Sequence, residues 1–99
     1  MKKSRITTTL WDASKHLVTE EDMALYLEAA LEENDPALIS AVLGDVARAK
    51  GMTQIAEKTG LGRTSLYKAL SPDGHPEFAT ILKVIDALGL QLKAAPVKS

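Results

Sequence analysis

From residue 20 to residue 89 apolar side chains recur at helical spacing, in blocks separated by turn-forming residues. Thr19 ahead of Glu20, Glu21 and Asp22 reads as an N-cap with an acidic first turn. Met23, Leu27, Ala30 and Leu31 then predict a first helix to about Glu33, broken at Asn34-Asp35-Pro36. Asp35 can cap the next helix with Pro36 in its first turn, and Leu38, Ile39, Val42, Leu43, Val46 and Ala47 form its apolar stripe up to Gly51. Thr53 is expected to cap a short helix through Thr59. Gly60, Leu61 and Gly62 make a turn, and Arg63 to Leu70 forms another short helix. After the turn-rich Ser71–Pro76, a last helix is expected from near Glu77, with Phe78, Ile81, Leu82, Val84, Ile85 and Leu88 inward and Gly89 ending it. Leu90, Leu92 and Ala94 alternate with Gln91 and Lys93, which allows a short C-terminal edge strand before a frayed tail, 95–99. The fold class is therefore all-α, five helices over residues 20–94. Residues 1–19 lack periodicity, yet Ile6, Leu10, Trp11, Leu17 and Val18 are too apolar for a solvated tail and suggest an arm that packs on something.

The segment from Thr53 to Leu70 has the pattern of a helix-turn-helix. Ala56 is small where two helices must cross, Gly60 turns the chain, and Ile55, Leu61, Leu66 and Leu70 supply an inner face. The same packing rules also make αα-corners that bind no DNA. The outward face of the second helix favours DNA, because Arg63, Thr64, Tyr67 and Lys68 include two cations and no acid, where a merely solvated face mixes both signs. Arg63 is placed to pair bidentately with a guanine edge, and Thr64 to meet a base or a thymine methyl. Tyr67, Lys68 and Ser71 are expected at phosphate, as is the start of the helix carrying Gln54, where free amides and the dipole attract anions. Ser65 sits between the two faces and is a weaker candidate. His75, Lys83 and Lys93 could extend the footprint, or serve only as solvated surface groups.

Charge changes this picture. The chain of 99 residues has a net charge of −1, but residues 1–36 hold four basic against eight acidic side chains, and the remainder is net +3. That asymmetry points to two partners of opposite sign, DNA for the basic part and a basic protein for the acidic part, or else to a plain solvated acidic helix. There is no cysteine, so disulfides, thiolate metal sites and thiol nucleophiles are excluded, and a reducing cytoplasm is the expected location. No apolar run approaches a membrane span, and Met1-Lys2-Lys3 leads into no apolar signal region. Neither a metal site nor a cofactor is expected. Asp12, Ser14 and His16 share one unpatterned segment, with no glycine loop or paired carboxylates beside them, so an enzyme is not expected either.

Ala47-Arg48-Ala49-Lys50-Gly51-Met52-Thr53-Gln54-Ile55-Ala56, then Gly60-Leu61 and Ser65-Leu66-Tyr67-Lys68-Ala69-Leu70-Ser71-Pro72, followed by Pro76 to Gly89, resemble one family. The acidic stretch from Tyr26 to Glu33 and Asp35-Pro36-Ala37-Leu38-Ile39 extend the likeness, which covers roughly Asp22 to Leu92. The family is that of addiction-module antidotes, HigA-like antitoxins with a Cro/lambda-repressor-like helix-turn-helix. The resemblance implies an antitoxin that binds a small basic toxin related to RelE and ParE, and that represses its own operon as a homodimer on operator DNA. A dimer also suits the motif, because one recognition helix reads only a few base pairs; the last helix and Leu90–Ala94 are the expected dimer surface. The alternative is a stand-alone Cro-like repressor, whose acidic helix would pack only on its own domain.

Overall fold

The computed structural model describes residues 19–97. Five helices occupy them, α1 (Glu20–Glu32), α2 (Pro36–Lys50), α3 (Met52–Thr59), α4 (Arg63–Ala69) and α5 (Phe78–Ala87), with no strand among the described residues. The arm proposed for residues 1–19 lies outside the described residues except for Thr19.

Local chemistry fixes the first two helices. Thr19 and Asp22 form a capping box, in which the Asp22 amide donates to Thr19 Oγ1 at 3.0 Å and the Thr19 amide donates to Asp22 Oδ2 at 3.2 Å. Asp35 Oδ1 accepts from the amides of Ala37 and Leu38, and Pro36 takes the first helical position, where its missing N–H costs nothing. Asn34 makes the corner between α1 and α2 in the left-handed region, φ 56°. Met23, Leu27 and Ala30 bury the inner face of α1 against α2, whose Val42, Leu43, Val46 and Ala47 are the centre of the core. Tyr26 adds a polar tie across that interface, its hydroxyl donating to Asp45 Oδ2 at 3.1 Å, while Asp45 also pairs with Arg48. Glu20 reaches Lys50 at 3.3 Å at the other end of the pair.

Core packing positions the remaining helices. Ile55 and Ala56 of α3 meet Leu66 and Leu70 from the α4 segment, and α5 closes over α2 and α3 with Val84, Ile85 and Leu88. The carbonyls at the end of α5 are satisfied by the amides of Gly89 and Leu90, which donate to Asp86 and Ile85 with Gly89 left-handed at φ 79°.

Four expectations need correction. The N-cap of α3 is Gly51, not Thr53; Gly51 has φ 122°, so the chain leaves α2 and enters α3 through one residue and no side chain caps the new helix. Leu70 is the C-cap of α4 and no longer helical. Phe78 and Leu82, expected inward, are 62% and 42% exposed. They lie one turn apart on one edge of α5, beyond the arc that Val84, Ile85 and Leu88 bury, because the apolar arc of this helix is wider than the surface it packs on. Residues 91–97 carry no regular structure, since among the described residues no second strand offers the hydrogen bonds a lone edge strand needs.

Candidate nucleic-acid interface

Between α3 and α4 the chain turns through Gly60, Leu61 and Gly62. Gly60 is in the left-handed region, φ 76°, with its amide donating to the Ala56 carbonyl at 2.9 Å, a conformation that costs an L side chain about 1 kcal/mol or more. Thr59 reinforces the turn: its hydroxyl donates to the Ile55 carbonyl at 2.8 Å, and its oxygen accepts from the Leu61 amide at 3.3 Å. Gly62 then enters α4 in an extended conformation and supplies no side-chain cap. Ile55 and Leu66 are fully buried where the two helices meet, with Ala56 at 9% exposure and Leu61 half-buried alongside.

This packing turns the candidate residues outward. Gln54, in the first turn of α3, is exposed, as are Arg63, Thr64, Ser65, Tyr67 and Lys68 of α4. Thr64 stands three and four residues before Tyr67 and Lys68, and Ser71 four and three after them, so the four share the face opposite Leu66; Arg63 and Ser65 flank it. Tyr67 is 43% exposed, the large aromatic of this face. Ser71 differs from the rest. It is half-buried, and its hydroxyl donates to the Lys68 carbonyl at 2.9 Å, closing the end of α4. Its proton is therefore already engaged, leaving lone pairs for an incoming donor.

Charge on this surface is predominantly positive. Between Gly51 and Ser71 the only acid is Glu57, against Lys58, Arg63 and Lys68, and none of the three cations forms an ion pair with a described residue. No group of His, Cys, Asp or Glu that could hold a metal occurs among the described residues.

One residue outside the motif was not evident from periodicity. Gly44 of α2 lies directly against the Leu70 carbonyl at the end of α4, so closely that a Cβ at this position would overlap that oxygen. A glycine amid an apolar stripe was the available signal, since it gives up helix propensity for close backbone approach.

The described residues thus form a small helical domain in which two short helices are joined by a tight turn at Gly60–Gly62, the second of them carrying an acid-free exposed face. Residues 7–96 match the family described as "probable addiction module antidote protein", and the chain belongs to that family. It is similar to an uncharacterized protein of Haemophilus influenzae, 49% identical over 83 residues, which are 84% of this chain and 86% of the relative. No solved structure matches the chain. No helix among the described residues is long and apolar enough to cross a membrane.

Proposed function

We propose that this antidote is a HigA-like antitoxin that binds operator DNA through a Cro-type helix-turn-helix, represses its own operon as a homodimer, and neutralises a basic toxin of the RelE and ParE kind. Family membership makes a toxin partner the general expectation and favours a non-enzymatic regulatory role. The observation that carries the DNA reading is α4 itself: Leu66 is fully buried, while Arg63, Thr64, Ser65, Tyr67 and Lys68 are all exposed with no carboxylate among them. A major groove accepts a helix presented this way, Arg63 and Thr64 toward base edges, Tyr67, Lys68 and Gln54 toward phosphate, with Ser71 able to join them only by turning its proton away from the Lys68 carbonyl. The exposed Phe78 and Leu82 of α5, with Leu92 beyond it, are the best-supplied apolar surface for the second copy that a two-half-site operator requires.

A stand-alone repressor is the other reading that one observation favours, since Met23, Leu27, Ala30 and Tyr26 tie α1 to α2 of its own domain. That tie uses only the inner face of α1 and leaves its acidic outer face open, so it is compatible with a toxin partner as well.

The test is a gel-shift titration of the purified protein against its own upstream region and a scrambled duplex at near-physiological salt. Saturable binding that resists competitor, in one cooperative or two successive steps, is the expected result. Equal affinity for the two duplexes, with α4 variants making no difference, would reduce the motif to an αα-corner.

A further inference from the structure

An open groove of about 400 Å³ lies between the α1–α2 corner and the loop that follows α4. Its walls are largely apolar: Pro36 and Ile39 from α2, Pro72 and Pro76 from the loop, and Ile81 from α5, with Ser40 as a polar point on the wall. Asn34 and His75 complete the lining, and they are the two non-glycine residues with positive φ among the described residues, at 56° and 48°. Left-handed backbone at a residue other than glycine stores strain, and here both instances shape one concavity.

Acidic residues adjoin the lining in the chain on both sides. Glu32, Glu33 and Asp35 lie within two residues of Asn34 and Pro36 at the α1–α2 corner, and Asp73 and Glu77 directly follow Pro72 and Pro76 in the loop; all five are exposed, and none is in an ion pair with a described residue. No Lys or Arg occurs between Lys15 and Arg48, or between Lys68 and Lys83, the two stretches of chain that build the groove. Glu32 and Glu33 end α1 without any basic residue in its last turn, although the helix dipole disfavours carboxylates there. An apolar floor adjoined by charge of one sign selects its occupant by charge as well as by shape.

From this we infer that the groove is a docking site for a basic protein segment, one that places an aliphatic or aromatic side chain against Ile39 and Ile81 while flanking Lys or Arg side chains meet the two acidic stretches. The inference rests on the antidote reading, in which a toxin partner is required, and locates that partner's contact away from the basic face of α3 and α4. One chain thus holds two binding surfaces of opposite charge.

The probe is a synthetic helical peptide with Leu and Phe flanked by Lys, titrated into the ¹⁵N-labelled full chain, beside a control peptide in which every Lys is Glu. Amide shifts confined to Asn34, Ile39, Ser40, His75 and Ile81 are expected from the basic peptide only. Affinity should fall by about tenfold or more in Glu32→Lys/Glu33→Lys and in Asp73→Lys/Glu77→Lys. The first pair places cations at a helix C-terminus, where they favour the fold, so lost binding cannot be ascribed to unfolding. Shifts centred on Arg63 to Lys68, equal response to both peptides, or no response overturn the proposal. So do groove shifts on simple dilution, which would seat a second copy there, or cross-peaks from Trp11 to Ile39 or Ile81 in the free chain, which would seat its own N-terminal segment. Gel shifts on the same proteins separate the two readings: peptide binding without operator binding sinks the repressor, and operator binding without peptide binding sinks the groove.

Discussion

Gly44 and Leu70 touch backbone to side-chain position, the Gly44 Cα facing the Leu70 carbonyl so closely that α2 and the end of α4 leave no room for a methyl group. The angle at which α4 leaves the domain is thereby set by a helix that takes no part in the motif. Gly44→Ala is expected to force α4 outward. Overpacking of this kind costs about 1–3 kcal/mol, partly offset by the better helix propensity of Ala. Chemical denaturation would register the loss. In a gel shift, operator affinity should drop more than affinity for scrambled DNA, because a displaced α4 loses base contacts before phosphate attraction. An unchanged ratio of the two would show that α4 does not depend on this contact for its aim.

Arg63 and Lys68 sit on the same exposed helix but are assigned different roles, and salt separates them. Arg63→Ala should remove about 1–3 kcal/mol of discrimination between the operator and a site altered under the arginine. Lys68→Ala should weaken binding evenly across sequences and lower the slope of log affinity against log salt by about one. Titrations at several salt concentrations on both duplexes check this; identical behaviour of the two variants would exclude base reading by Arg63.

Much of the fold was legible because the signals were local. Thr19 with Asp22, Asp35 with Pro36, and Gly60 each mark an element end through contacts within a few residues, and the helices fall where those residues put them. Thr53 misled because it is a good cap by type, yet Gly51 ends α2 and starts α3 at a single position, leaving Thr53 one residue inside the helix. Phe78 and Leu82 misled because periodicity reports which residues are apolar, not how wide a surface the neighbouring helices provide. The exposed face of α4 could be anticipated from the burial of Leu66 at its back. The groove could not, since Ile39, Pro76 and Ile81 meet only through tertiary packing.

Tyr26 offers a check on how α1 is held. Burial, then the charge of Asp45 and the hydrogen bond to it, push its phenol well above the ordinary tyrosine value, with Arg48 opposing. The folded pKa exceeds the unfolded one, so this stabilisation is complete below the ordinary value of about 10 and is lost as pH rises beyond it. Tyr26→Phe should cost about 1 kcal/mol at neutral pH and flatten the alkaline decline in stability. Thermal melts of both proteins between neutral and alkaline pH decide it; parallel curves would mean the hydroxyl contributes nothing to holding α1.

Leu82 is the sharper probe of self-association. At 42% exposure it lies outside the core arc, one turn from Phe78 at 62%, so a charged replacement should leave the monomer fold nearly intact. Were the α5 edge the dimer surface, Leu82→Glu would bring two like charges together near the symmetry axis, because a twofold interface sets the same patch against itself. Light scattering coupled to size exclusion should then show the dimer mass of the parent fall to the monomer mass. The operator should bind in two independent half-site steps of reduced affinity, while the helical circular dichroism signal stays unchanged. A variant that remains dimeric would move the interface off α5 and leave Phe78 and Leu82 without that role.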